Sequence, residues 1–158
     1  MINKLLVALL LTSSINAGTV ENDIARHFIF PKWKEFHKLN TILLHSHAHN
    51  ALVDIYINNI ATKYYIEKKS FFPEGSILIK PLYKKVGREH LARLVVMVKM
   101  YKNYDSSHND WWYGVYDEKG TTVWFEGRIK SCIKCHKLAE KTDYLFSQDV
   151  MDQIEFQE

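Results

Sequence analysis

Apolar and polar residues follow one another along the middle of the chain in short blocks that predict β-strands. The most apolar block, residues 94–101, is rich in β-branched residues, as is typical of a strand buried on both faces. Further strands are predicted at 51–57, 76–86, 110–116 and 121–125, with turn residues between them. These blocks together predict an antiparallel meander of about five strands.

Short helices are predicted on either side of these strands. Pro31 suits the first turn of a helix over residues 32–40, and residues 60–69 form a second helical segment. A third helix is predicted near the C-terminus, at about residues 129–140. The predicted class is therefore α+β, a mostly antiparallel sheet with short helices at both ends.

The first 17 residues have the pattern of a secretory signal peptide. Lys4 provides a basic start, residues 5–11 are apolar, and Ala17 is a small residue at the cleavage point. The apolar run is much shorter than the roughly 20 residues that span a membrane. We therefore expect removal of residues 1–17, a periplasmic location, no membrane span in the mature protein, and a single domain over residues 18–158.

The strongest chemical signal is the segment Cys132-Ile133-Lys134-Cys135-His136. This spacing attaches c-type haem, because two thiols can bond to the vinyl groups on one porphyrin edge while the adjoining histidine binds iron. A redox dithiol or half of a zinc site are the alternatives. However, the sequence shows no thioredoxin-like pattern, no second CxxC and no other cysteine. We predict one covalently attached haem c, with His136 as the proximal ligand of the iron.

Two other groups of residues could act as metal ligands. His45, His47 and His49 alternate, so that in a strand they would share one face and could bind zinc or copper. A solvated loop or edge strand is the simpler interpretation. Met97 and Met100 could supply a sixth ligand to iron, although packing in a buried strand is the simpler role. Both groups stay unassigned.

The charge of the chain is mildly basic. Lys and Arg number 21 and Asp and Glu number 18, and the formal charge of +3 falls to about +2 without Lys4. This excess is too small to indicate nucleic-acid binding, and no nucleic-acid-binding motif is present. A slight positive charge would help an acidic, soluble redox partner to dock. The sequence does not determine the oligomeric state, and a homodimer is one of the states that we consider.

Seven segments then occur in a characteristic order: Phe30–Phe36, Asp54–Asn58, Phe72–Lys80, Val96–Lys99, Asp110–Gly114, Cys132–His136 and Asp143–Ser147. In this order they resemble the cytochrome P-460 family, which includes the cytochromes c′-beta. The resemblance covers nearly all of the chain after residue 17. It implies a mostly β fold with one c-type haem, a five-coordinate iron held by His136, and an open distal side.

The resemblance also gives Lys80 a role. In the P-460 members a lysine is covalently joined to the porphyrin edge, and Lys80 stands at that position in the run Phe-Pro-Glu-Gly-(x)4-Lys. Those members oxidise hydroxylamine, whereas the c′-beta members lack the cross-link and bind nitric oxide or other small gases. Without the resemblance, Lys80 would be a rim residue with its ammonium in water.

Two polar positions of the hydroxylamine oxidisers are aliphatic here. Their distal carboxylate, a proton acceptor, aligns with Val95, and their distal arginine aligns with Val53. An apolar pocket admits neutral diatomic ligands but gives little help to proton removal. We therefore expect binding of nitric oxide or a related nitrogen-oxide ligand, with hydroxylamine oxidation and periplasmic electron transfer as alternatives. Candidate walls of the pocket are Phe71, Phe72, Trp111, Trp112 and Tyr113.

Overall fold

The computed structural model describes residues 30–67 and 69–146, so the predicted signal peptide at 1–17 lies outside the described residues. Within them the chain forms one antiparallel sheet accompanied by two short α-helices, which confirms the predicted α+β class. None of the helices in this part of the chain has the length and apolar character needed to cross a membrane.

The sheet has eight strands in the described part of the chain. They are β1 (His37–Lys38), β2 (Leu44–Ser46), β3 (Ala51–Val53), β4 (Tyr56–Ile57), β5 (Ile77–Tyr83), β6 (Leu91–Lys99), β7 (Trp111–Tyr116) and β8 (Val123–Gly127). The order across the sheet is β1-β4-β5-β6-β7-β8, while β3 pairs with β5 and with β2. The last four strands of this order, β5 to β8, form the predicted meander.

The prediction of about five strands is wrong in number, partly because the strand expected at 51–57 is divided. β3 and β4 pair with β5 in one continuous register, but Asp54 and Ile55 between them lack ladder bonds to β5. Pro81, which stands opposite Asp54 in this register, has no N–H to donate. The backbone of Ile55 instead bonds to the N–H of Leu39 and the side-chain oxygen of Asn40.

The predicted helix at 32–40 is wrong beyond its first turn. A 3-10 helix spans Trp33–Glu35, and the chain then becomes extended and forms β1 against the free edge of β4. This pairing adds a strand that the local pattern does not indicate. An edge of the sheet can recruit any nearby extended segment through its unpaired backbone groups.

The other two predicted helices are present with shifted ends. The first, α1, spans Asn59–Ile66 and begins after Asn58, whose side chain accepts a hydrogen bond from the backbone N–H of Ala61. The second, α2, spans Lys130–His136 and continues as a 3-10 helix over Lys137–Thr142. A further 3-10 turn spans Ser106–His108.

Both faces of the sheet are covered, and the two faces differ in what packs on them. On one face, α1, α2 and the loop after residue 142 enclose a core that includes Leu78, Met97 and Tyr113. On the other face, the segment from Phe30 to Phe36 covers a second cluster. Because side chains alternate along a strand, the first face also carries the row of paired residues Lys80, Val95, Val115 and Phe125.

Candidate functional site

A recess on the helix-covered side of the sheet brings the predicted site residues together. Its larger part, about 590 Å³, is lined by α2, the β2–β3 hairpin and the middle of β5. A smaller part, about 250 Å³, extends over β5 to β8. Both parts share His49, Lys80, Cys132 and His136, so they are adjoining regions of one site. The combined size suits a cofactor.

Helix α2 presents both thiols to this recess. Cys132 and Cys135 are three residues apart, which places them on one face of the helix. Both are half-buried, free of any disulfide, and line the larger part of the recess. The intervening Ile133 is buried in the core, while Lys134 is exposed to solvent. The core thus holds the helix in the orientation that turns the thiols inward.

His136 is oriented by a backbone group of the following loop. Its Nδ1 lies 2.6 Å from the carbonyl oxygen of Tyr144, to which it donates a hydrogen bond. Burial lowers the pKa of His136 to about 4, so the ring is neutral at pH 7. In the tautomer with the proton on Nδ1, the Nε2 lone pair is free to bind a metal.

The loop that supplies this carbonyl is anchored by Asp143. Its buried carboxylate accepts hydrogen bonds from the backbone N–H of Phe72 and from the side chains of Lys99, Asn109 and Trp111. Asp143 and Tyr144 both have positive φ, 52° and 67°, which turns the chain back toward α2. Sequence patterns did not indicate this anchor. The one sequence feature that pointed to it was the presence of Lys99 and Asp143 in the segments that carry the family resemblance.

Lys80 lies inside the recess and not at its rim, so the expectation from its sequence alone is wrong. It sits in the middle of β5, is half-buried, and lines both parts of the site. Burial lowers its pKa to about 8. Among the described residues, no carboxylate pairs with its amine and no hydrogen bond to it is found. A lysine in this state has a substantial neutral fraction near pH 8 and can act as a nucleophile.

The two aliphatic positions predicted for the distal side also face the recess. Val95 lines the smaller part beside Lys80, its paired residue on β5, and Val53 lines the larger part. The smaller part of the recess nevertheless contains two polar side chains that were not expected there, Arg93 and His49. No aspartate or glutamate is among the described residues that line it.

The three hairpin histidines all line the larger part of the recess, but they differ in burial. His45 and His47 are exposed, with ring centroids 4.4 Å apart, whereas His49 is half-buried in the recess. In the described ranges, no group of three or more His, Cys, Asp or Glu side chains is arranged to hold a metal ion. The two methionines also separate, since Met97 lines the smaller part of the recess and Met100 packs against the opposite face of the sheet.

The aromatic walls differ from those predicted. Of the five candidates only Tyr113 lines the recess, and its buried hydroxyl has no hydrogen-bond partner among the described residues. Phe71 is exposed, and the other three belong to the two cores. The aromatic residues that do line the recess besides Tyr113 are Trp124, Phe125 and Phe146.

The residues that line the recess fit a haem group. Two free thiols stand on one helix face, a neutral imidazole has an available Nε2, and most of the remaining walls are apolar. These features are those of a haem-binding cytochrome. The chain belongs to the family described as Cytochrome P460, whose model matches residues 31–147. This match confirms the resemblance inferred from the sequence and implies a haem cofactor. No curated protein matches the chain.

Proposed function

We propose that this protein is an exported cytochrome with one covalently bound haem c and an open iron site for nitric oxide or a related nitrogen-oxide ligand. The observation that carries this proposal is the 2.6 Å hydrogen bond from His136 to Tyr144, in a recess that His136 shares with Cys132 and Cys135. When bound, the haem supplies an iron with one free coordination position.

Several side chains of the recess would hold the haem, each in a different way. The thiols of Cys132 and Cys135 would each add their S–H across one vinyl C=C, an addition that needs no oxidant. His136 would bind the iron through Nε2, while the carbonyl of Tyr144 keeps the ring in the tautomer that leaves Nε2 available. Val95 and Met97 are apolar residues that line the smaller part of the recess, and they would exclude water from the bound haem.

A neutral ligand is favoured by the composition of the recess. Oxidation of hydroxylamine removes protons, and in the hydroxylamine oxidisers that the chain resembles a distal carboxylate accepts them. The described lining residues include no carboxylate, and the aligned distal positions hold Val53 and Val95. The charged side chains that line the recess, Lys80 and Arg93, are both basic. Nitric oxide needs no proton acceptor in order to bind.

Hydroxylamine oxidation is the second candidate, and the state of Lys80 favours it. Its half-buried amine lines both parts of the recess, and burial lowers its pKa to about 8. A bond from Nζ to a porphyrin carbon would replace one N–H and one C–H, releasing two protons and two electrons. It therefore requires a two-electron oxidant such as a peroxide. The cross-link would make Lys80 part of the catalytic centre.

The cellular setting is proposed from the N-terminal pattern and the family. Residues 1–17 would direct export to the periplasm, leaving one domain over residues 18–158, and proteins of this family are typically exported. A soluble redox partner would exchange electrons with the haem. A homodimer is also proposed, because edge strand β8 exposes Trp124 and Phe125, which a second copy could cover.

The decisive experiment is the absorption spectrum of the purified ferrous protein, recorded with and without nitric oxide. We expect a covalently retained haem, a five-coordinate spectrum, and a clear change when nitric oxide is added. A double variant, Cys132→Ser with Cys135→Ser, should lose covalent attachment. Colourless protein would exclude the haem proposal, whereas a low-spin six-coordinate spectrum would favour electron transfer. Steady turnover of hydroxylamine with an artificial electron acceptor would favour the second candidate.

A further inference from the structure

His49 differs in its surroundings from the other two histidines of the β2–β3 hairpin. His45 and His47 are exposed and line only the larger part of the recess. His49 is half-buried and lines both parts, together with Lys80 and His136. All three imidazoles therefore line the site, and His49 is the one that is half-buried and also reaches the smaller part, beside Val95 and Met97.

The geometry of the turn explains this placement. Ser46 pairs with Ala51, so residues 47–50 form the turn, and the N–H of Asn50 donates to the carbonyl of His47. Asn50 has a φ of 47°, a left-handed conformation that asparagine tolerates well. This compact turn holds the residue before Asn50 against the recess. The position of His49 is thus set by backbone structure.

The imidazole of His49 is neutral and available for hydrogen bonding. Burial, together with the nearby positive charges of Lys80 and Arg93, lowers its pKa to about 4. No hydrogen bond or ion pair to its ring is found among the described residues. A neutral imidazole can donate through one nitrogen and accept through the other. Burying such a ring without partners costs free energy, so a bound group would stabilise it.

We propose that His49 acts as a distal residue, one that donates a hydrogen bond to a small ligand on the iron. The inference rests on the proposed function and deepens it. Its ligand class is a small molecule with an oxygen or nitrogen acceptor atom beyond the atom that binds iron. His49 then provides the polar contact that Val53 and Val95 cannot make.

The test uses the haem-loaded ferrous protein with carbon monoxide as the probe. A distal donor lowers the C–O stretching frequency and slows dissociation. We expect His49→Leu to raise that frequency and to accelerate dissociation about fivefold, the worth of one hydrogen bond. His49→Gln, which keeps a donor, should lie between the wild type and His49→Leu. His90→Leu, an exposed histidine outside the recess, should match the wild type.

The possible outcomes separate this inference from the proposed function. If wild-type protein binds haem but His49→Leu and His49→Gln leave both the frequency and the rate unchanged, the distal role of His49 is wrong while the cytochrome proposal stands. A six-coordinate wild type that becomes five-coordinate in His49→Leu would show His49 bound to the iron itself, which also overturns the hydrogen-bond role. Loss of haem from the wild type would instead remove the proposed function.

Discussion

The carbonyl oxygen of Tyr144 lies 2.6 Å from Nδ1 of His136 and accepts its hydrogen bond. This contact joins helix α2 to the loop that follows it, and it leaves Nε2 as the nitrogen available to a metal. Because the acceptor is a backbone atom, replacing the Tyr144 side chain would not remove it. The orientation of the imidazole depends instead on what holds the loop in place.

Asp143 holds that loop, and its replacement should weaken both the fold and the site. Lys99 Nζ lies 2.8 Å from both carboxylate oxygens, and both side chains are largely buried. Asp143→Asn would leave the ammonium of Lys99 without its counter-charge, so we expect a loss of about 3 kcal/mol in the free energy of unfolding. Urea unfolding measures this loss.

The matched control for Asp143→Asn is an exposed ion pair. Lys32 and Glu35 lie 3.7 Å apart at the surface, and Glu35→Gln should change the free energy of unfolding by no more than about 0.5 kcal/mol. Resonance Raman spectra of the ferrous protein should also show a shifted iron–histidine stretch in Asp143→Asn. Equal stability of the two variants would mean that Asp143 is not the anchor of the loop.

A second buried carboxylate should make stability depend on pH. Burial alone would raise the pKa of Asp54, but its hydrogen bonds with Arg88 and Lys38 outweigh burial and lower it. The unfolded chain then binds the proton more tightly than the folded chain. The stabilisation is therefore complete above the unfolded pKa of about 3.9 and is lost as the pH falls below it.

Urea unfolding between pH 3 and pH 7 would test this role of Asp54. We expect Asp54→Asn to lower the free energy of unfolding by about 2 kcal/mol at pH 7 and by much less at pH 3. The wild type and the variant should therefore converge on acidification. Parallel pH profiles would show that Asp54 does not contribute through its charge.

The number of peptides that are covalently attached to the haem distinguishes the two candidate functions. For a nitric oxide binder we expect the porphyrin on a single proteolytic peptide, the one that contains Cys132 and Cys135. A second labelled peptide containing Lys80 would instead show the cross-link of the hydroxylamine oxidisers. Lys80→Arg keeps a positive charge but should abolish any such second peptide, so it is the control for assignment. The measurement is mass spectrometry of a digest.

Local patterns made the motif and the meander predictable, because both depend on residues close together in the chain. Cys132 and His136 need only one helical turn to share a recess, and β5 to β8 follow from blocks of apolar residues. The anchor at Asp143 was not predictable, since its donors come from three distant segments. His49 was likewise ambiguous, because the alternating pattern of histidines does not show where the turn begins.

The last prediction concerns position 95, where the hydroxylamine oxidisers have a distal carboxylate and this chain has a valine. Val95 pairs with Lys80 across β5 and β6 and lines the smaller part of the recess, so Val95→Glu would place a proton acceptor beside the site. General-base catalysis typically contributes a factor of about 100 or more, and we expect hydroxylamine turnover to rise at least tenfold. Val123→Glu, at an exposed position of β8 that does not line the recess, adds an equal charge and is the matched control. The measurement is hydroxylamine-dependent reduction of an artificial acceptor by the haem-loaded variants. A rise in both variants, or in neither, would show that the position aligned with the family's carboxylate does not control proton removal here.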